Sequence, residues 1–186
     1  MEAFFISTGL VALAEMGDKT QLLSLVLAAR FRRPWPIILA ILVATLANHA
    51  LAGAVGAWIT TWLGEVWLRW ILGLSFLAMA AWTLVPDKLD EDEPVLGRLG
   101  VFGTTLVAFF IAEMGDKTQV ATVALAAQYH ALFAVVAGTT LGMMLANAPV
   151  VLFGDRITRV VPMKIVHRVA ATIFAVLGVL ALLGVG

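Results

Sequence analysis

The sequence contains no cysteine and little charge. Without cysteine the chain cannot form disulfides, thiolate metal sites or a cysteine nucleophile, and its redox compartment stays open. Charged residues make up 13% of the 186 residues and the formal net charge is zero, which argues against a nucleic-acid partner. Hydrophobic residues reach 62%, well above the level of a soluble domain. The composition therefore indicates a polytopic protein in a lipid bilayer.

Apolar runs long enough to cross a bilayer recur along the chain. We predict six transmembrane helices, at 3–29, 36–62, 66–85, 100–127, 131–153 and 166–184. Nine basic residues flank the first, third and fifth connections, and one flanks the second and fourth. By the positive-inside rule the odd connections are cytoplasmic and both termini lie outside. The expected fold class is an all-α integral membrane protein.

The chain contains an internal repeat. The segment 15–21 (EMGDKTQ) occurs again unchanged as 113–119, and the shift between the copies is 98 residues. Outside the motif, Leu46-Ala47-Asn48 matches Leu145-Ala146-Asn147, and Phe76 matches Phe174. The repeat unit is therefore three helices. An odd number of crossings inserts the second unit upside down, which predicts two inverted three-helix repeats.

These boundaries divide the chain into three parts. Residues 1–85 form the first repeat, 86–99 an acidic cytoplasmic linker, and 100–186 the second repeat. The linker is rich in Asp and Glu and bounded by proline, and it lacks the glycine of a calcium-binding loop. We expect the two repeats to form a single transport domain.

Each copy of the motif lies near the centre of a predicted helix, where charge is costly and marks a functional site. Residues three apart share a helix face, so the acids and the amide of each copy can point the same way. Gly17 and Gly115 allow either close helix contact or a local break in which backbone carbonyls also become ligands. The predicted metal ligands are Glu15, Asp18, Gln21, Glu113, Asp116 and Gln119.

Oxygen ligands of this kind suit a hard cation such as calcium, manganese or magnesium, rather than zinc or copper. The four acids and two lysines of the motifs sum to a charge of −2, which one divalent cation neutralises. Without the metal, the crowded carboxylates would take up protons. Metal and proton would then compete for one site, and this competition is the physical basis of a cation/proton antiporter.

Other polar residues have more than one interpretation. The motif lysines are either counter-ions of the acids or switches that enter the empty site. The motif threonines lie well round the helix from the acids, which favours packing and backbone hydrogen bonds over ligation. Two asparagines at matching positions form interhelical hydrogen bonds or line the cation path. These supporting residues are Lys19, Lys117, Thr20, Thr118, Asn48 and Asn147.

The two Glu-x-Gly-Asp-Lys-Thr motifs on three-helix repeats resemble the signature of the Gdt-type cation exchanger family. That family includes bacterial manganese exporters and eukaryotic Golgi calcium/manganese-proton exchangers. The resemblance covers the whole chain and implies efflux of Mn²⁺ or Ca²⁺ from the cytosol against protons. It also implies metal binding by the motif acids Glu15, Asp18, Glu113 and Asp116. The compact length resembles the bacterial members, which implies the inner (plasma) membrane.

The leading hypothesis is a secondary transporter, not an enzyme, that works by alternating access around a mid-membrane site. Its partners are the bilayer, a divalent cation and protons, and no cofactor is expected. One alternative is an exporter of a monovalent cation or a small amine. A more distant alternative is an intramembrane hydrolase with Asp18 and Asp116 as an aspartyl dyad, which leaves the motif lysines unexplained. The oligomeric state and the choice between Mn²⁺ and Ca²⁺ stay open.

Overall fold

The computed structural model describes residues 1–85, 99–154 and 163–184, and these residues are almost entirely helical. Eight helices follow one another in the described part of the chain: α1 (Glu2–Glu15), α2 (Lys19–Phe31), α3 (Pro34–Trp62), α4 (Glu65–Thr83), α5 (Gly100–Glu113), α6 (Lys117–Tyr129), α7 (Leu132–Phe153) and α8 (Met163–Leu183). Nearly all of the predicted acidic linker, 86–98, lies outside the described residues.

Four helices, α3, α4, α7 and α8, are long and apolar enough to cross a membrane. They coincide with the predicted spans at 36–62, 66–85, 131–153 and 166–184. Many large apolar side chains are exposed on the surface, among them Trp58, Trp62, Trp67 and Trp70 beside the turn between α3 and α4. An apolar exterior with tryptophan near helix ends is typical of a bilayer environment. The prediction of an all-helical membrane protein is confirmed.

The other two predicted spans are not continuous helices, which corresponds to the local break that the sequence left open at the motif glycines. The span at 3–29 is interrupted between α1 and α2, and the span at 100–127 between α5 and α6. Both interruptions fall inside the repeated motif. Gly17 has φ of 81° and Gly115 has φ of 78°, so a right-handed helix cannot continue through either residue.

The helices pack in pairs that relate the two halves of the chain. Helix α1 lies along α7 and α5 lies along α3. These two contacts are equivalent in the internal repeat, because α1 corresponds to α5 and α7 corresponds to α3. Helix α4 packs on its own counterpart α8, with the rings of Phe76 and Phe174 6.4 Å apart between centroids. The approach of α7 to α1 is close, because a Cβ added at Gly142 would lie 2.6 Å from the carbonyl oxygen of Thr8. The two breaks are thereby brought together inside the bundle.

Candidate metal centre

The two breaks have the same local geometry. Helices α1 and α5 end at the motif glutamate, and α2 and α6 begin at the motif lysine, with the aspartate as N-cap in extended conformation. The side-chain oxygen of Gln21 accepts the Gly17 N–H at 2.8 Å, and that of Gln119 accepts the Gly115 N–H at 2.7 Å. Neither N-cap aspartate caps its helix with its own side chain. Each carboxylate therefore interacts with groups other than the first turn of its own helix.

The helix breaks, and not the periodicity of a continuous helix, bring the acids together. The sequence argument put Glu15, Asp18 and Gln21 on one face of a continuous helix, and the break removes that face. The alternative of a local break at the motif glycine is the one the structure contains. The amide oxygens of Gln21 and Gln119 accept hydrogen bonds from the backbone at the breaks, so in this arrangement they brace the loops. Their ligand role stays a prediction.

Three buried carboxylates converge from the two halves of the chain. One oxygen each of Glu15, Glu113 and Asp116 lies within 4.8 Å of the others. Glu15 Oε1, Glu113 Oε1 and Asp116 Oδ2 have no hydrogen-bond partner among the described residues. Ligand oxygens about 2.1 to 2.5 Å from a common ion lie within this separation of one another. The cluster therefore has the donor chemistry and the spacing that a hard divalent cation requires.

The fourth predicted ligand, Asp18, lies outside this cluster and contacts a lysine instead. Its Oδ1 is 2.8 Å from Lys117 Nζ, and both side chains are fully buried. In the other motif, Lys19 Nζ is 3.3 Å from Asp116 Oδ1, and the Lys19 side chain is 25% exposed. Each lysine thus pairs with the aspartate of the opposite motif. The two copies of the motif form a single charged network, because the aspartate of each copy has its counter-ion in the other copy.

The motif threonines donate side-chain hydrogen bonds to the glutamates, a contact that was not among the packing and backbone interactions expected for them. Thr20 Oγ1 donates to Glu15 Oε2 at 2.6 Å, and Thr118 Oγ1 donates to Glu113 Oε2 at 3.2 Å. On a continuous helix the threonine would lie well round from the acids, whereas the break turns it back towards the preceding glutamate. Each hydroxyl holds one glutamate oxygen and leaves the other directed at the cluster.

The asparagines make hydrogen bonds between the two halves of the chain. Asn48 Nδ2 donates to the carbonyl oxygen of Phe110 at 3.1 Å, and Asn147 Oδ1 accepts from Ser24 Oγ at 2.8 Å. The interhelical interpretation therefore describes both residues in this arrangement. Sequence reasoning missed Ser24 and also His167, whose Nε2 lies at hydrogen-bond distance from the carbonyl oxygen of Met16. Ser24 corresponds to Thr122, and the shared hydroxyl was an available signal, whereas His167 corresponds to Arg69 and the repeat gave no signal for it.

Buried acids at two helix breaks, with each aspartate paired to the lysine of the opposite half of the chain, are typical of an ion-coupled membrane transporter. The chain matches the family described as divalent cation/proton antiporter GDT1 over residues 3–91 and 101–185. It belongs to this family and is a cation/proton antiporter, not an enzyme. The two matched segments also correspond to the repeated halves.

Individual relatives agree with the family. The chain is 54% identical, over 94% of its length and 87% of the relative, to a protein of Vibrio cholerae serotype O1 named "Putative manganese exporter". It is 28% identical to a GDT1-like protein of Synechocystis, over 97% of both chains. A rice GDT1-like protein 3 is also 28% identical, over 95% of this chain and 70% of the relative. No solved structure matches the chain.

Proposed function

We propose that this protein exports Mn²⁺ from the cytoplasm in exchange for protons, with Ca²⁺ as the second candidate cation. The observation that carries the proposal is the convergence of Glu15, Glu113 and Asp116 oxygens within 4.8 Å, buried and without partners among the described residues. Manganese is favoured over calcium because the relative from Vibrio cholerae that shares 54% identity carries manganese export in its name. The bacterial plasma membrane is the proposed location for the same reason.

The proposed architecture has six crossings. Helices α1 and α2 together make the first crossing, and α5 and α6 together make the fourth, since 14 plus 13 residues in each pair suffice for about 40 Å. Residues 1–85 and 100–186 are then two inverted repeats joined by a cytoplasmic linker, with both termini outside. The asymmetry of basic residues between odd and even connections supports this orientation.

The proposed binding site comprises all four motif acids, with three of them on the cation at any one time. Helix α1 and helix α5 end at the site, so the negative ends of both helix dipoles point at the cation. The motif lysines act as counter-ions that hold the aspartates between transport events. The threonines orient the glutamates, and the asparagines bond the two repeats to each other. The glutamines close the two breaks and remain predicted ligands of the cation.

Exchange follows from charge balance. Four carboxylates and two ammonium groups leave a charge of −2, which either one divalent cation or two protons can neutralise. A site in a low-dielectric interior cannot keep that excess charge uncompensated while it reorients. Release of the cation therefore requires protons to replace it, and the coupling needs no additional machinery.

The test is flux through purified protein in liposomes with an imposed pH gradient. We expect Mn²⁺ to move in the direction opposite to the proton flow. The same assay run with Ca²⁺, Mg²⁺ and Na⁺ ranks the substrates. Asp18→Asn and Asp116→Asn each keep the side-chain shape and remove the charge, so exchange should be lost, and helical circular dichroism of the same samples checks that each variant is folded. The matched control is Glu65→Gln, an exposed acid at the start of α4. Absence of any divalent flux, or normal flux in the aspartate variants, contradicts the proposal.

A further inference from the structure

The two motif breaks are identical in sequence but differ in how far other residues of the protein shield them from the surroundings. At the first break His167 of α8 reaches the carbonyl oxygen of Met16, and Met16 is partly buried. At the second break Met114 is 59% exposed, and a Cβ added at Gly115 would meet no described atom within 4 Å. An exact internal repeat would give both breaks the same surroundings. The difference therefore comes from the arrangement of the other helices.

The helices responsible are α4 and α8. This pair packs on α1 and on α6. The internal repeat relates α1 to α5, α2 to α6 and α4 to α8. The contacts equivalent to those of the pair are therefore α8 on α2 and α4 on α5, and both are no more than marginal in the described part of the chain. The α4–α8 pair thus occupies one of two positions that the internal repeat makes equivalent.

The position of the pair determines which side of the membrane is closed. In the proposed topology α1 and α6 connect the breaks to the outer face, whereas α2 and α5 connect them to the cytoplasmic face. A pair that packs on α1 and α6 covers the outer half of the site. On the cytoplasmic half, α2 and α5 contact each other and bury apolar residues such as Leu27 and Phe109, but the α4–α8 pair adds no more than marginal contacts there. Lys19 beside Asp116 is 25% exposed in that region.

The uncovered break cannot face lipid. The chain at Met114 and Gly115 is non-helical, and such backbone is tolerated at membrane depth only where protein buries it or water reaches it. The described residues do not cover it. Water from the cytoplasm is the occupant that matches the exposure of the adjacent Lys19 and the direction of cation uptake.

We propose that α4 and α8 form a moving gate, that the gate is closed on the outer side here, and that His167 is the positioning residue that holds it over the first break. This inference rests on the proposed export function and deepens it. In the opposite state the pair shifts to α2 and α5, which covers the second break and opens the first to the outside. Access to the cation site then alternates without dismantling the contacts of α1 with α7 and α3 with α5.

The first repeat supplies the matching residue for the opposite state. Arg69 precedes His167 by the same 98 residues that separate the motifs. It lies at the outer end of α4 next to Gly184, beside a cavity of about 460 Å³, and its Nε has no hydrogen-bond partner among the described residues. In the opposite state, in which each repeat adopts the conformation that the other has here, Arg69 reaches the carbonyl oxygen of Met114. His167 and Arg69 then serve the two closed states in turn.

The chain has no native cysteine, so single-cysteine reporters can be used in the full-length protein. Met16→Cys and Met114→Cys are matched, since they occupy the same motif position and leave both backbone carbonyls in place. With a membrane-impermeant methanethiosulfonate, we expect Met114→Cys to react from the cytoplasmic side and Met16→Cys to be protected. A Met114→Cys that reacts only with a lipid-soluble maleimide means that lipid or a second copy covers the break, and that result overturns the proposal.

Removal of the His167 contact should move the two reporters in opposite directions. We expect His167→Ala to raise outer-side labelling of Met16→Cys about fivefold, the population change produced by one net hydrogen bond, and to lower labelling of Met114→Cys. His167→Gln, which keeps a donor, should restore much of the original pattern. A merely structural role for His167 would raise both labelling rates together, and that outcome also overturns the proposal.

A reversible cross-link separates this inference from the proposed function. Met16→Cys and His167→Cys joined by a short, reducible bifunctional thiol reagent should stop Mn²⁺/proton exchange, and reduction should restore it. The control joins α4 to α8 through Gly73→Cys and Leu182→Cys, which face each other directly, and exchange should continue because the pair moves as a unit. Exchange by the first cross-linked protein refutes the gate. Absence of exchange in the wild type refutes the export function, while the labelling pattern still tests the gate.

Discussion

Lys117 and Lys19 occupy the same position in the two motifs, yet the same substitution should affect them differently. Lys117 and Asp18 are both fully buried, with Nζ and Oδ1 2.8 Å apart. Replacing Lys117 with methionine leaves a buried carboxylate without its cation, and we expect the free energy of unfolding to fall by about 3 to 5 kcal/mol. Lys19 is 25% exposed, so water can solvate Asp116 after Lys19→Met, and the expected loss is about 1 kcal/mol or less.

A double variant identifies the cause of the larger loss. Asp18→Asn in the Lys117→Met background removes both charges, and replacing both members of a buried ion pair is close to neutral. We therefore expect the double variant to recover most of the lost stability, with a coupling energy of about 2 to 3 kcal/mol between the two residues. Asp116→Asn in the Lys19→Met background serves as the matched comparison and should show little coupling.

The assay is reversible unfolding of the purified protein in mixed detergent micelles, followed by tryptophan fluorescence and helical circular dichroism. The measured quantity is the free energy of unfolding for the wild type, the four single variants and the two double variants. Equal losses for Lys117→Met and Lys19→Met would show that burial does not separate the two pairs. A double variant no more stable than Lys117→Met would show that the contact with Asp18 is not the reason for the loss.

Three further predictions concern helix contacts and coupling. Gly142→Ala places a Cβ 2.6 Å from the Thr8 carbonyl oxygen and should destabilise the protein by about 1 to 3 kcal/mol, whereas Gly9→Ala, with no described atom near its Cβ, should be neutral or stabilising in the same unfolding assay. Asn147→Ala removes the acceptor of Ser24 and should cost about 1 kcal/mol, while Ser24→Ala should cost no more. With two protons replacing one divalent cation, exchange should be electroneutral, so a valinomycin-imposed membrane potential should leave the flux unchanged.

Composition and the exact repeat were sufficient to predict the membrane class and the long helices. The four apolar spans at α3, α4, α7 and α8 have no strong competing conformation, because only helices satisfy the backbone within lipid. The sequence could not decide whether the spans that contain the motif are continuous or broken, because apolar periodicity does not report a single residue with positive φ. The glycine in each motif was the available signal, and it was consistent with a break or with close helix contact.

The site was only partly accessible from the sequence, because its geometry depends on contacts between the repeats. Spacing selected the acids, but it could not show that Lys117 pairs with Asp18, 99 residues away, and Lys19 with Asp116, 97 residues away. It also could not show that the threonine hydroxyls reach the glutamates, since that contact exists only after the helix has broken. In two identical motifs the lysines could pair with aspartates of their own copy or of the other copy, and the packing of the folded bundle determines that they pair between copies.

The crossed pairs predict that the two aspartates act in different halves of the transport cycle. Here Asp116 joins Glu15 and Glu113 while Lys117 holds Asp18. Exchange of the two halves, as the gate moves, would bring Asp18 to the glutamates and bury Lys19 with Asp116. Asp116→Asn should therefore abolish Mn²⁺ binding from the cytoplasmic side, and Asp18→Asn should chiefly impair binding from the outer side. Mn²⁺ binding measured separately in right-side-out and inside-out vesicles tests this, and equal loss on both sides in both variants would contradict it.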